Sequence, residues 1–141
     1  MVNINPKKIV EDGIISNIVD LEKQVQQVGI DLTCKHDFNI PHGSFVNFEF
    51  NETFDMKDCF GLLKIRSSFA RMGLIMTSGV YDPGFKGNGG CVIVNMSGVE
   101  QSFKAGTRVG QMVCFKSDAA SDYNGHYNNN DTIESQYKEE E

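Results

Sequence analysis

The sequence predicts a mostly β protein, an antiparallel sandwich or jelly roll, with a short N-terminal helix and a mobile C-terminal tail. Short segments rich in Val, Ile, Phe and Thr recur at spacings of about ten residues. Gly, Asn, Pro or Ser bounds these segments, and little helical pattern lies between them. This combination is typical of antiparallel sandwiches and jelly rolls. The chain of 141 residues is long enough for one domain with one substantial core.

The predicted strands follow one another through the middle of the chain. Residues that favour turns separate them. The segments are 28–34, 38–50, 59–65, 73–82, 89–98 and 101–115.

The helical pattern is confined to two short places. Pro6 suits the first turn of a helix and Gly13 suits its end, so a short helix is predicted there. Residues 67–74 predict one internal helical turn, with a serine near its N-cap. We expect an N-terminal segment over about residues 1–25, a β core over 26–116 and a polar lid or tail over 117–141.

Composition and charge argue against several classes of function. The net charge of −6 argues against a face for a nucleic-acid polymer, although a few focused cations can still hold a small anion. No apolar run reaches the ~18 residues of a membrane-spanning helix, and the N-terminus lacks the apolar part of a secretory signal. The four cysteines form no CxxC pair, which favours reduced core residues over a zinc site. We therefore expect a cytoplasmic protein that binds neither membrane nor nucleic-acid polymer.

The segment "IRSSFARMGL" is a candidate binding site for a small anion. Arg66 precedes the hydroxyls of Ser67 and Ser68 at the start of a helical turn, where backbone N–H groups add further donors. The alternative is an ordinary helix start with a surface arginine. For this short motif alone, that alternative is favoured.

A single carboxylate stands inside the glycine-rich segment "SGVYDPGFKGNGG". Glycines beyond those that a turn needs indicate that another group approaches the backbone closely. Asp82 could orient a water as a general base, with Phe85 stacking on a ring or sugar. Most turn aspartates instead bond their own loop, and Phe85 could equally be a core residue.

Two further segments place polar residues among apolar ones. In "AGTRVGQMV", Arg108 and Gln111 either serve a ligand or lie on a solvent face. In "VGIDLTC", Asp31 would be costly if it were buried alone. It therefore pairs with a cation, holds a metal-bound water or lies at a strand edge.

Taken in order, these segments resemble the trimeric dUTPase and dCTP deaminase superfamily over about residues 26–115. "GIDL" is similar to its first motif, "RSS" to the phosphate-binding second, "GVYDPGFKG" to the third and "GTRVGQ" to the fourth. The resemblance implies a homotrimer with active sites at the subunit interfaces. It also implies Mg²⁺ held mainly by the triphosphate, with Asp31 behind the metal through water.

The resemblance further implies a role for each motif residue. Asp82 would hold the attacking water, Phe85 would pack on the deoxyribose, and Arg108 would brace the fourth motif. The phosphates would be bound by Arg66, Ser67, Ser68 and Gln111. The backbone that reads the base would comprise Gly79, Val80, Tyr81, Gly89, Gly90 and Cys91. Secondary candidates are Arg71, where the deaminases keep a functional arginine, and Tyr123 and Tyr127 in a tail similar to the deaminase type.

The two activities of this superfamily need different groups. Hydrolysis needs an oriented water and cations on the phosphates, whereas deamination needs an acid beside the pyrimidine ring. The resemblance puts that acid, a glutamate in the deaminases, at Val92, and valine cannot move a proton. The only nearby acid in the sequence is Asp82. "RSSFARMGL" and "DPGF" nevertheless resemble the deaminase motifs more closely than those of typical dUTPases.

The sequence thus predicts a dUTP diphosphatase, a hydrolase that converts dUTP and water to dUMP and diphosphate with Mg²⁺. A dCTP deaminase, or an enzyme with both activities, is the first alternative. The second is a non-catalytic, nucleotide-binding regulatory trimer. It is favoured by a tail without the arginine that a common dUTPase carries in its lid.

Overall fold

The fold was obtained as a computed structural model that describes residues 2–118, 123–125 and 128. The helices are α1 (Pro6–Glu11), α2 (Leu21–Gln24) and α3 (Ser67–Arg71). The strands are β1 (Ile15–Ser16), β2 (Ile30–Thr33), β3 (Phe38–Ile40), β4 (Phe45–Asp55), β5 (Cys59–Ile65), β6 (Leu74–Thr77), β7 (Lys86–Asn95), β8 (Gln101–Phe103) and β9 (Arg108–Lys116). No helix in the described residues is long and apolar enough to cross a membrane.

The strands pair antiparallel in three sheets. The largest has the order β1-β4-β7-β6, the second β2-β9-β5, and the third consists of β3 and β8. Side chains alternate across a strand, and on β7 the alternation buries Cys91, Ile93 and Asn95. Met112 and Cys114 of β9 are buried in the same cluster, so the two larger sheets share one core. The predicted mostly β, antiparallel architecture is confirmed.

Two of the predicted strands are each divided in the structure. Segment 38–50 is interrupted at Pro41, which lacks the N–H that a strand ladder needs, and becomes β3 and β4. Segment 101–115 is interrupted by a turn in which Gly106 has a φ of +88°, and becomes β8 and β9. β4 also runs on to Asp55, beyond the predicted strand end at residue 50.

The N-terminal helix α1 begins at Pro6 as predicted. Asn5 caps it, since its Oδ1 accepts from the Lys7 N–H at 2.9 Å. Gly13 follows the helix with a φ of +71°, a conformation that glycine adopts without strain. All four cysteines are free and buried.

Helix α2 was not predicted, because its four residues are too few for a helical period. Its buried Gln24 donates from Nε2 to the Asp31 carbonyl at 2.8 Å and to Glu52 Oε2 at 2.9 Å. The fully buried Glu52 also accepts from the backbone N–H and the hydroxyl of Thr33, at 2.8 and 2.6 Å. This network fixes β2, the strand that carries Asp31.

Candidate active site

One end of the β2-β9-β5 sheet brings polar residues of three motifs together. Asp31 of β2 is opposite Gln111 of β9, which in turn is opposite Lys64 of β5. Directly opposite residues of antiparallel strands point to one face, so these side chains form a row. Arg66 follows β5, and its backbone N–H donates to the Val109 carbonyl at 3.2 Å. We call this region, with Lys64, Arg66, Arg108 and Gln111, the cationic end.

Two arginines brace the cationic end. Arg108 Nη1 lies 3.0 Å from Asp31 Oδ2 and also donates to the Lys23 carbonyl at 3.0 Å. Arg66 Nη1 donates to the Arg108 carbonyl at 2.9 Å, and its guanidinium carbon lies 6.0 Å from the centre of the Phe69 ring. Of the three alternatives for Asp31, the structure shows pairing with a cation.

Burial governs the ionisation of Asp31. The residue is 5% exposed, and this desolvation raises the pKa of its carboxyl, while the charges of Arg108 and Arg66 act in the opposite direction. One carboxylate oxygen is already paired with Arg108. No group of three or more His, Cys, Asp or Glu residues that could hold a metal occurs in the described part of the chain.

Gln111 has one unsatisfied atom. Its Oε1 is buried and has no hydrogen-bond partner among the described residues. Gly29 leaves space beside it, because a Cβ at Gly29 would lie 2.9 Å from that oxygen. The amide carries two donors and one acceptor, and rotation about its last bond exchanges them. The fourth motif thus contains a buried amide oxygen to which no described residue donates a hydrogen bond.

The two serines of the second motif lie on α3. The helix begins at Ser67 with Arg66 as N-cap residue, and no side chain among the described residues caps its backbone N–H groups. Ser67 and Ser68 are exposed, so both hydroxyls are available to a ligand. Arg71 is exposed in the last turn. The predicted serine near the N-cap thus lies one residue inside the helix.

Asp82 lies in the loop between β6 and β7, residues 78–85, which we call the third-motif loop. Its carbonyl accepts from the Phe85 N–H at 3.1 Å, which closes a turn over Pro83 and Gly84. Gly84 has a φ of +83°, as the third residue of a type II turn requires. The Asp82 side chain is exposed on this turn. The type II turn therefore accounts for the presence of Pro83 and Gly84, and the Asp82 side chain faces solvent.

Tyr81 attaches the loop to β5 and to β7. Its backbone pairs with Gly61 of β5 through hydrogen bonds of 2.8 and 3.1 Å. Its hydroxyl donates to the Gly90 carbonyl at 2.8 Å and accepts from the Gly90 N–H at 3.0 Å. Two of the groups assigned to base reading thus bond each other.

The remaining base-reading candidates differ in exposure. Gly79 and Val80 are exposed, and Val80 is 55% exposed. Gly89 and Cys91 are buried, and burial raises the pKa of the Cys91 thiol. The exposed candidates therefore lie in the third-motif loop, and the buried ones lie on β7.

Phe85 packs inside an aromatic group and is 7% exposed. Its ring stands edge-on to Tyr81, with 5.6 Å between ring centres, and edge-on to Tyr123, with 5.7 Å. The Tyr123 N–H donates to the Pro83 carbonyl at 2.6 Å. This part of the tail therefore lies against the third-motif loop of its own chain. Tyr127 lies outside the described residues.

One acidic residue near Val92 was missed in the sequence. Val92 lies opposite Asn47 of β4 and Thr77 of β6. Glu49 of β4 lies opposite Gly90, two residues from Val92 and on the same face. The expectation that Asp82 is the only nearby acid is therefore wrong, because strand pairing brings in an acid that is remote in sequence. Glu49 is 7% exposed, and its Oε1 lies 3.3 Å from Lys35 Nζ.

The third-motif loop and the cationic end lie at opposite ends of β5. Tyr81 pairs with Gly61 near the start of the strand, whereas Arg66 follows its last residue. Five residues of extended chain span about 16 Å. In this chain the exposed Asp82 and the cations are thus on separate parts of the surface.

Solved structures of two related enzymes share this fold. The EIAV dUTPase superposes with a TM-score of 0.65 at 21% identity, over 76% of this chain and 90% of that one. The dCTP deaminase of Agrobacterium tumefaciens superposes with a TM-score of 0.66 at 12% identity, over 79% of this chain and 46% of that one. At these identities the likeness concerns the fold.

Curated proteins of both kinds are similar in sequence. A dCTP deaminase of Pyrobaculum islandicum is 35% identical over 89 residues, which are 62% of this chain and 51% of that protein. The deoxyuridine 5'-triphosphate nucleotidohydrolase of variola virus is 28% identical over 86 residues, which are 60% of this chain and 58% of that protein. The chain thus spans about half the length of these relatives, and 9% of a similar Pol polyprotein from an ovine maedi visna related virus.

The family model described as dCTP deaminase-like matches residues 35–117, which is more than half of the chain. This range includes the second, third and fourth motifs. By sequence and by fold, the chain belongs to the dCTP deaminase-like family within the dUTPase and dCTP deaminase superfamily.

Proposed function

We propose that this protein is a dUTP diphosphatase that hydrolyses dUTP to dUMP and diphosphate. The observation that carries the proposal is that an exposed carboxylate, Asp82, and a braced cationic end occur on one domain of this family. Attack of water on the α-phosphate needs a group that orients the water and cations that stabilise the leaving diphosphate. The two surfaces supply these groups.

In the proposed reaction Asp82 accepts a hydrogen bond from the attacking water. As the oxygen–phosphorus bond forms, the proton passes to Asp82, and the bond to the leaving diphosphate breaks. Arg66, Ser67, Ser68 and Gln111 bind the phosphate oxygens. Arg66 is held by the Arg108 carbonyl before any ligand binds, which avoids reorganisation in the transition state. The substrate is Mg²⁺-dUTP, so the metal arrives on the phosphates.

The third-motif loop would read the base. Backbone groups from Gly79 to Asp82 and from Gly89 to Cys91 are the proposed contacts, with Phe85 beneath the sugar. The edge-on packing of Phe85 against its neighbours holds its ring in one orientation. Asp31 acts on the phosphates only through Arg108 in this scheme. Arg71, Tyr123 and Tyr127 remain secondary candidates.

A homotrimer would bring the two surfaces together. Since Asp82 and Arg66 lie at opposite ends of β5, the loop of one subunit is proposed to meet the cationic end of its neighbour. An apolar row on the outward face of the β1-β4-β7-β6 sheet supports assembly. Phe45 and Ile75 are both opposite Val94 and are 62% and 55% exposed.

Deamination of dCTP is the second candidate, and the position of Glu49 is the observation that favours it. Glu49 lies next to Gly90 across the strand pair, where it could serve as the acid that Val92 cannot supply. Its pairing with Lys35 would have to loosen for proton transfer. We therefore place this activity second.

Separate product assays test the proposal. The purified chain with Mg²⁺ is incubated with dUTP or dCTP, and diphosphate and ammonia are each measured. We expect diphosphate from dUTP and no ammonia from dCTP. Ammonia from dCTP that is lost in Glu49→Gln but kept in Glu100→Gln, an exposed glutamate, would favour the second candidate. Nucleotide binding without either product would favour a regulatory trimer.

A further inference from the structure

The hydroxyl of Tyr81 occupies both backbone polar groups of Gly90. It lies 2.8 Å from the carbonyl oxygen and 3.0 Å from the nitrogen, and so donates one hydrogen bond and accepts another. A pyrimidine edge offers the same pair, because N3–H and O4 of uracil, or N4–H and N3 of cytosine, are one donor and one acceptor. The phenol hydroxyl therefore offers Gly90 one hydrogen-bond donor and one acceptor, as the edge of a pyrimidine base would.

The packing of the surrounding residues holds the Tyr81 ring in this position. It is 9% exposed and packs 5.0 Å from Phe54 and 5.6 Å from Phe85 between ring centres. Gly89 provides the space, since a Cβ there would lie 2.6 Å from the Tyr81 hydroxyl and 2.5 Å from the Phe54 ring. Here the group that approaches a glycine of the segment is the protein's own tyrosine.

We propose that Tyr81 is a built-in competitor for the base-reading edge of Gly90, and therefore a residue that sets base affinity and specificity. The inference rests on the proposed function, in which Gly90 reads the pyrimidine. A backbone N–H has one proton, so Gly90 cannot donate fully to the phenol and to a base at once. A nucleotide binds the edge only when the Tyr81 side chain moves away from it, which breaks both hydrogen bonds of the hydroxyl. A base that can form only one hydrogen bond with Gly90 does not compensate for the two that the Tyr81 hydroxyl loses.

Replacement of the hydroxyl alone tests this competition. In Tyr81→Phe the ring remains, and the polar groups of Gly90 lose their partner until a base binds. We expect the variant to bind α,β-imido-dUTP, which resists cleavage at the α–β bridge, about three- to thirtyfold more tightly than wild type. Inorganic triphosphate, which has no base, should bind both proteins equally. Calorimetry on the full chain measures both ligands.

Ser97→Ala is the matched control. Its hydroxyl also bonds both backbone groups of one residue, donating to the Val99 carbonyl at 2.9 Å and accepting from the Val99 N–H at 3.4 Å. Its loss should not tighten binding of the analogue. In the absence of ligand, the thermal midpoint of Tyr81→Phe should fall. The rise in that midpoint on adding the analogue should exceed the wild-type rise.

A second measurement needs no variant. In ¹⁵N-labelled wild type, saturation with the analogue should shift the Gly90 amide resonance, because its acceptor changes. An unshifted Gly90 resonance, or analogue binding to Tyr81→Phe that is equal to or weaker than wild type, overturns the inference and leaves the proposed function intact. Failure of wild type and variant alike to bind the analogue contradicts the proposed function, and this inference with it.

Discussion

Arg108 on β9 is joined to Asp31 on β2 by an ion pair of 3.0 Å, and the carbonyl of the same arginine holds Arg66. The buried carboxylate, its arginine and a proposed phosphate ligand thus form one chain of contacts. Loss of the Asp31 carboxylate would remove a partner of Arg108, and we expect it to displace Arg66 through the Arg108 carbonyl. The pair therefore acts as a positioning element of the cationic end.

The ionisation of Asp31 should be visible in the pH dependence of stability. Burial raises its folded pKa above the ordinary 3.8, so the folded chain binds this proton more tightly than the unfolded chain. The contribution is fully present below pH 3.8 and is lost as the pH rises through the raised folded pKa. The unfolding free energy of wild type minus that of Asp31→Asn should therefore decrease with rising pH in that window. A difference that increases would mean that the Arg108 pair outweighs burial.

Asp82→Asn should keep the fold and lose hydrolysis. The amide preserves the shape of the side chain but cannot take a proton, so kcat for dUTP should fall by about two to four orders of magnitude. Asp37→Asn is a suitable control, because Asp37 is an exposed aspartate just before β3 that accepts from the Ala105 N–H at 2.8 Å. Steady-state diphosphate release compares the two. Near-normal turnover in Asp82→Asn would leave Asp82 as a turn residue only.

Subunit mixing should reveal shared active sites. Asp82→Asn and Arg66→Ala are each expected to be inactive alone. If each site takes Asp82 from one subunit and Arg66 from the next, an equal, fully exchanged mixture should recover about a quarter of wild-type activity. Diphosphate release after subunit exchange is the measurement.

The control for subunit mixing is the double variant Asp82→Asn with Arg66→Ala, mixed with either single variant, which should recover nothing. Absence of recovery in the mixture of single variants would assign the whole site to one chain. A monomer mass for the active protein in sedimentation would contradict the interface site directly.

Loss of the buried Glu52 carboxyl should destabilise the fold strongly. Its two oxygens accept from the backbone and hydroxyl of Thr33 and from Gln24. Glu52→Ala leaves these buried donors unpaired, so we expect a loss of about 3–5 kcal/mol in the free energy of unfolding. Glu22→Ala, at an exposed position of α2, should change it by less than about 0.5 kcal/mol. Denaturant titration measures both, and a loss below about 1 kcal/mol for Glu52→Ala would contradict this account.

The sequence allowed the sheet architecture to be predicted because β-branched and aromatic residues recur between turn residues. The meeting of Asp31, Arg66 and Gln111 at one end could be proposed only from the order of the motifs. Strand pairing that aligns Asp31 with Gln111 depends on register, which no single segment encodes. The position of Glu49 beside Gly90 was missed for the same reason.

The contact between Tyr81 and Gly90 could not be predicted either. The glycine-rich segment indicated that some group comes close to its backbone. Residue type alone does not tell whether that group is a ligand or a side chain nine positions earlier. The signal available was a tyrosine and a glycine pair in the same segment. The structure adds the packing of Phe54 against Tyr81, which places the tyrosine beside that pair.

The four buried cysteines can serve as natural probes of how the β sandwich unfolds. Cys34, Cys59 and Cys114 are fully buried and Cys91 is 6% exposed, so an alkylating reagent reaches them only when the surrounding structure opens. Cys59, Cys91 and Cys114 lie on β5, β7 and β9, while Cys34 follows β2. Timed labelling followed by peptide mass spectrometry would therefore order the opening of the strands in the unmodified protein. No engineered probe would be needed to learn whether the two larger sheets separate together or one before the other.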